Sequence, residues 1–221
     1  MSPKLSIILG VHNQEELVLT ALEHMPVRDD VEIIVLDNAS TDKSLAVVEM
    51  YQAAHPELHM TVLHNKVEVN PCINGNRLIE MSRGEYFHLH CDDDYIITPE
   101  FERVIDTYLY SPESYDVVTF DLQQNDGFRL PVDENTHTWR SSFIARFVKK
   151  SFVKGLKMRE DKFGEEDQYF NREILERNPK IAFSGIMAYR YNYPRVGSIS
   201  WRFAHGELDL GEFAGEEACE L

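Results

Sequence analysis

The chain has 221 residues, 43% of them hydrophobic and 11% aromatic, enough for one domain with a real core and too few for two full domains. Lys and Arg number 22 against 38 Asp and Glu, a formal charge of −16. That balance argues against a general nucleic-acid binder, which needs a cationic surface to displace counterions from phosphates. The apolar runs last only a few residues, so none spans a bilayer. Met1-Ser2-Pro3-Lys4 enters a strand-like run without a signal-peptide cleavage pattern, and three cysteines (Cys72, Cys91, Cys219) show no metal-ligand spacing. We therefore expect a reduced, cytoplasmic protein.

Residues 5–11 form a nearly continuous apolar run and read as a buried strand. Residues 14–25 follow as a helix, with Asn13 as N-cap and Leu17, Ala21 and Leu22 at helical spacing. Residues 31–36 are a second strand, ended by the turn-forming Asp37-Asn38-Ala39-Ser40, and Thr41-Asp42 can cap a helix reaching Ala53. A strand over 60–63, a helix over 73–82 and a strand over 85–91 complete a rhythm that predicts βαβ crossovers and a mostly parallel sheet.

The second half is less regular. We expect a helix over 99–110, a strand over 115–122 and a polar loop over 123–138. Residues 143–153 fit a strand or a helix. A helix over 165–177 carries an apolar stripe of Tyr169, Phe170, Ile174 and Leu175, and 181–193 holds one or two strands. Residues 204–221 have six acidic residues and no Lys or Arg, and are expected to be a loosely held tail.

Asp92-Asp93-Asp94 is the sharpest chemical signal. It follows a strand and so belongs at the carboxyl edge of the sheet, where open α/β folds bind ligands. Carboxylates about 6 Å apart repel by roughly 0.7 kcal/mol in water and roughly 3 kcal/mol at an effective dielectric near 20. Such a cluster wants a cation, and hard oxygen donors select Mg²⁺ or Mn²⁺; the bland alternative is an exposed acidic turn. Strand alternation places Tyr86, His88, His90 and Asp92 on one face, a set that can ligate zinc. Two hydrogen-bonded core imidazoles explain the histidines more simply.

Gly164-Glu165-Glu166-Asp167-Gln168 opens a helix whose dipole favours charged carboxylates, which alone is ordinary capping. Asp37-Asn38-Ala39-Ser40-Thr41-Asp42 can meet a base or ribose edge with a phosphate at the following helix N-terminus, or can be a plain Asx turn. Eight basic residues between Arg140 and Lys162 make either a solvated face or a contact for an anionic acceptor or lipid. The segment from Arg190 to Arg202 mixes cations, aromatics and hydroxyls, as a lid over a diphosphate would, or as an irregular meander would.

Taken in order, these segments resemble the family 2 glycosyltransferases of GT-A fold. Lys4-Leu5-Ser6-Ile7-Ile8 through His12-Asn13 is similar to the family's opening strand and turn, and Glu32 through Asp42 to its second strand with an Asp-Asp-Gly-Ser-Thr-Asp ending. Gly84-Glu85-Tyr86-Phe87 leads to Asp92-Asp93-Asp94 as the family's strand leads to its Asp-x-Asp motif. Glu166-Asp167 resembles the Glu-Asp pair that holds the catalytic base, and Gly197-Ser198-Ile199-Ser200 the C-terminal loop; residues 4–202 are covered. Three departures stand out. Cys91 occupies the first aspartate of Asp-x-Asp. Gly75-Asn76-Arg77 replaces Ala-Arg-Asn, which shifts the arginine about 200° around its helix. His88 and His90 replace apolar residues.

The resemblance implies one α/β domain of GT-A type, Rossmann-like, with a mostly parallel mixed sheet flanked by helices. Residues 1–98 would bind the nucleotide-sugar and 99–203 the acceptor. It implies inverting, metal-dependent transfer of one sugar from a nucleotide-sugar donor, a UDP-sugar, to an acceptor hydroxyl on a glycan or lipid-linked molecule. Asp167, with Glu166 beside it, would be catalytic. Asp93 and Asp94 would hold Mn²⁺ or Mg²⁺. His12, Asn13, Asp37, Asn38, Asn76 and Asp92 would line the nucleotide, and Arg195 and Ser198 the diphosphate. The setting would be cytoplasmic, extending to the inner membrane face. The rival readings are a nucleotidyltransferase, a non-catalytic sugar-nucleotide module, a zinc enzyme and sugar transfer to a modified DNA base. The loop Gly10-Val11-His12-Asn13-Gln14 is neither glycine-rich nor basic, against the first of these.

Overall fold

The computed structural model describes residues 2–135, 143–160, 166–196, 201 and 205, with the side chains of 166–168 left aside. Three apolar runs seed the sheet: β1 (Leu5–Val11), β2 (Val31–Asp37) and β4 (Tyr86–Cys91). β1 lies between β2 and β4, parallel to both, and β3 (Met60–His64) extends the parallel set beyond β2. Both faces of β1 and β2 are covered, which is why their side chains are buried along nearly the whole run. The crossovers are α1 (Val18–Glu23), α2 (Ser44–Ala54) and α3 (Pro71–Met81).

The second half turns the sheet mixed. β8 (Arg146–Lys149) inserts antiparallel between β4 and β6 (Val117–Gln124). β6 then runs parallel to the 11-residue β9 (Ile181–Tyr191), whose far end pairs with β5 (Tyr95–Ile96). The sheet order is β3-β2-β1-β4-β8-β6-β9-β5, with β7 (Arg129–Leu130) forming a hairpin on β6. Within the ambiguous 143–153 segment, Arg146–Lys149 is thus a strand flanked by bends and turns. Its Phe147 and Val148 are wholly buried on opposite faces, a demand that only an extended backbone meets.

Several boundaries move for identifiable reasons. α1 begins at Val18 rather than near Gln14, because the α2 entry captures the preceding backbone. Gln14 donates its N–H to Ser44 Oγ at 2.7 Å and Glu15 its N–H to Asp42 Oδ2 at 3.1 Å. Asn13 is no N-cap; it sits at φ 52°, and its side-chain oxygen accepts from the Thr41 N–H at 2.8 Å. Asn70 is the true cap of α3, accepting from the Cys72 N–H at 2.8 Å just ahead of Pro71. The predicted 99–110 helix divides into α4 (Thr98–Val104) and a π-helical turn over Ile105–Leu109. The expected 123–138 loop contains the β6–β7 hairpin, and the acidic tail lies outside the described residues apart from His205.

Below the parallel strands, Glu32 is 2% exposed and joins β1, β2 and the approach to β4. Its carboxylate accepts from Ser6 Oγ at 2.6 Å, from the Arg83 N–H at 2.6 Å, from the Gly84 N–H at 3.2 Å and from the Arg83 guanidinium at 2.7 Å. Gly84 is required there, since an added Cβ would lie 2.6 Å from the Ser6 nitrogen and from the Tyr86 carbonyl oxygen. α5 (Glu166–Glu176) docks through Phe170 and Ile174, in contact with Phe143, Val148 and Met158, and Asn171 accepts from the buried Arg146 guanidinium.

Candidate functional site

Parallel strands β1, β2, β3 and β4 all point their carboxyl ends to one edge, and the chain leaves β1 to opposite sides toward β2 and β4. That topological switch opens a crevice at the edge. The loop after β1 carries His12 and Asn13, the loop after β2 Asp37 through Asp42, and the loop after β4 Asp92 through Asp94. Hydrogen bonds knit these loops together. His12 donates its N–H to Asp92 Oδ2 at 3.1 Å, its Nδ1 lies 2.9 Å from the Asn38 carbonyl oxygen, and Asn13 donates its N–H to Ser40 Oγ at 3.0 Å.

The three adjacent aspartates take three different partners. Asp92 accepts from the His12 backbone. Asp93 Oδ2 accepts from the Arg195 guanidinium at 2.7 Å, and Asp94 Oδ1 from the Asn192 N–H at 2.7 Å. Burial and the neighbouring Asp93 charge raise the Asp92 carboxyl to about 7 and hold Asp94 well above the usual range. Asp94 is 1% exposed and its Oδ2 has no hydrogen-bond partner, a costly state for a buried oxygen. Cys91 Sγ and one carboxylate oxygen each from Asp93 and Asp94 lie within 4.8 Å of one another. Clustered negative charge, an orphaned oxygen and an arginine resting on Asp93 together fit a divalent cation.

Asp37 is 1% exposed, with Oδ2 accepting from the Ser40 N–H at 3.0 Å and Oδ1 unpartnered, so one acceptor stays available at the β2 edge. The Asn38 side chain is hydrogen-bonded within the protein. Its amide donates to the Val69 carbonyl at 2.8 Å, and its oxygen accepts from the Val69 N–H and from Asn65 Nδ2, both at 3.0 Å. Asn76 is likewise engaged, binding the Met158 carbonyl, the Met158 N–H and Glu160 Oε1 at 2.7–3.0 Å. Both amides brace loops around the crevice.

Arg195, bonded to Asp93, lines with Asn13 and Asp42 a cleft of about 270 Å³. Ser198 lies outside the described residues. Glu166 and Asp167 open α5, and their side chains lie outside the described set as well. A larger cavity of about 520 Å³, lined by Lys4, Arg83, Glu85 and Tyr110, sits at the opposite, amino-terminal edge, where parallel sheets do not carry their sites.

His88 and His90 are core. His88 Nδ1 lies 3.0 Å from the Arg146 carbonyl oxygen, and its ring meets Phe101, Phe120, Phe147 and Tyr189 at 5.3–6.0 Å. Burial holds His88 down at about 4 and His90 well below its usual value, so both are neutral. Tyr189 and Asn192 belong to the site and escape sequence reasoning. Tyr189 OH accepts from the Cys91 N–H at 3.3 Å, and burial beside Asp94 raises its phenol. Both reach the aspartates only through the β9–β5 pairing, a contact some hundred residues long that no local pattern signals.

Known proteins share this family and this fold. The model "Glycosyl transferase family 2" matches residues 6–177. The poly(ribitol-phosphate) beta-glucosyltransferase of Bacillus spizizenii is 26% identical over 88% of this chain and 33% of that protein. The putative glycosyltransferase EpsE of Bacillus subtilis is 27% identical over 52% of this chain and 42% of that protein. The chain thus spans a third to under half the length of these relatives. Among solved structures, S. aureus TarS 1-349 in complex with UDP-GlcNAc superposes with a TM-score of 0.72 at 21% identity, covering 88% of this chain and 60% of that one. Mannosyltransferase PcManGT from Pyrobaculum calidifontis, in complex with GDP-Man and Mn²⁺, gives 0.73 at 16% identity over 93% and 61%. With its mixed sheet, its crevice at the carboxyl edge and its ordered motifs, this chain belongs to glycosyl transferase family 2 and has the GT-A fold.

Proposed function

We propose that the chain moves one sugar from a UDP-sugar to an acceptor hydroxyl with inversion, in the assembly of a surface glycan or polysaccharide. The observation that carries this reading is the cation-seeking cluster of Asp93 and Asp94 in the crevice shared by the β1, β2 and β4 loops. The UDP-GlcNAc complex of TarS and the name of the poly(ribitol-phosphate) relative support the donor and the acceptor class.

Inverting displacement needs a base on the acceptor and relief of charge on the leaving group. Asp167, at the start of α5 beside Glu166, takes the hydroxyl proton as oxygen attacks the anomeric carbon, and must come within about 2.6–3.2 Å of that oxygen. Asp37 offers its free buried oxygen to the base, and the His12–Asp92 corner lies toward the ribose. Asp93 and Asp94 would hold Mn²⁺ or Mg²⁺, which when bound would supply Lewis-acid stabilisation of the departing diphosphate, worth several kcal/mol. Arg195 adds a guanidinium suited to phosphate oxygens. None of the helices in the described residues is long and apolar enough to cross a membrane; the basic residues between Arg140 and Lys162, the buried Arg146 apart, suit a cytoplasmic protein that touches the anionic inner membrane face.

Hydrolysis of a panel of sugar nucleotides tests the proposal without knowledge of the acceptor. Slow release of UDP, dependent on Mn²⁺ or Mg²⁺ and lost in Asp93→Ala, is expected. Release of pyrophosphate instead would identify a nucleotidyltransferase, and no turnover of any donor would overturn the reading.

A further inference from the structure

We infer that Cys91 is a ligand of this cation site, giving it one sulfur and two carboxylate donors and tuning it to thiophilic divalent ions over Mg²⁺. The inference rests on the preceding reading that the site holds a divalent cation. Cys91 ends β4 at the position where the family resemblance places an aspartate, so a soft donor stands in for a hard one. Its Sγ and the oxygens of Asp93 and Asp94 lie within 4.8 Å of one another. An ion about 2.3 Å from sulfur and about 2.1 Å from oxygen separates opposed donors by up to about 4.4 Å. Three donors around one ion at those lengths stand about 3.6–3.8 Å apart, so the set surrounds an ion after closing by up to about 1 Å, within reach of side-chain rotation.

A second observation points the same way. The buried Asp94 Oδ2 has no close hydrogen-bond partner, the Tyr189 hydroxyl acting on the carboxylate from its side, while Oδ1 is fixed by the Asn192 N–H at 2.7 Å. The group is thus oriented, with one oxygen left for a cation. Tyr189 fixes the other side of the site, its hydroxyl accepting from the Cys91 N–H at 3.3 Å. Hard carboxylates alone suit Mg²⁺ and Mn²⁺, whereas a thiolate favours softer ions. On binding, the Cys91 S–H bond breaks, its proton passes to solvent and a sulfur–metal bond forms, with no change of oxidation state.

The test uses the full chain carrying Cys219→Ser, which leaves Cys91 and the core residue Cys72, 0% exposed, as its thiols. Titration with Cd²⁺ alone should raise a thiolate-to-metal charge-transfer band in the ultraviolet that saturates at one ion per chain. Cys91→Ser in the same background should remove the band and weaken Cd²⁺ binding at least about tenfold, with Mg²⁺ binding altered less than about twofold. Cys91→Asp should also lose the band while strengthening Mg²⁺ binding. Calorimetry of UDP with Mn²⁺ on the same proteins separates the failures. If the band is absent, or survives Cys91→Ser, while UDP binding still requires Mn²⁺, the sulfur assignment is overturned and the glycosyltransferase reading stands. If neither Cd²⁺ binding nor Mn²⁺-dependent UDP binding occurs, both fall.

Discussion

Replacing Asn38 by alanine separates two roles that its position next to Asp37 leaves open, contact with the nucleotide and support of the crevice floor. The buried amide makes three hydrogen bonds, to both backbone groups of Val69 and to Asn65 Nδ2, at 2.8–3.0 Å. At a net value of about 1 kcal/mol each, Asn38→Ala costs about 3 kcal/mol. In a chain of this size each kcal/mol lowers the melting temperature by about 2–4 °C, so the midpoint should fall by about 6–12 °C. Differential scanning calorimetry gives that midpoint, and UDP titration well below it reports the site. A supporting role predicts an affinity for UDP within about threefold of the parent, since threefold is about 0.65 kcal/mol and less than one hydrogen bond. A midpoint within about 2 °C of the parent, which is less than about 1 kcal/mol, would refute the reasoning, as would a loss of affinity well beyond about threefold whatever the midpoint.

Asp167→Asn should retain UDP binding and lower turnover by about 10²–10⁴-fold, the usual worth of a general base; steady-state kinetics at saturating donor checks it. Gly84→Ala forces a Cβ against the Ser6 and Tyr86 backbones and should cost about 1–3 kcal/mol in urea unfolding, with UDP affinity preserved because Gly84 lies at the opposite edge of the sheet. Asp30 is held down at about 2 by the Arg28 guanidinium, against the cost of its burial, with help from the Tyr110 hydroxyl. Its folded value lies below the unfolded 3.8, so its contribution is complete above that pH and is lost as pH falls toward 2. Asp30→Asn should therefore flatten the acid limb of a stability–pH curve between pH 4 and 2 relative to the parent.

The first half of the chain announces itself because its signals are local. Continuous apolar runs at Leu5–Val11 and Val31–Asp37 demand a strand covered on both faces, and intervening helical patterns demand parallel crossovers. Turns that follow parallel strands share the carboxyl edge, so Asp37 and Asp92 through Asp94 belong together there. The start of α1 has no such local signal, because side chains of the α2 entry compete for the Gln14 and Glu15 N–H groups.

What the sequence by itself determined, then, is the parallel core, the edge to which its polar turns belong and the type of chemistry those turns can do, since each follows from side-chain periodicity within a few residues. Tertiary structure alone decided which polar groups are spent and which remain. Asn38 and Asn76 face inward to other loops, Arg195 settles on Asp93, and Asn192 holds Asp94 across the β9–β5 pairing. Those choices depend on partners tens to about a hundred residues distant, and a hydrogen bond has no sequence period by which to be read.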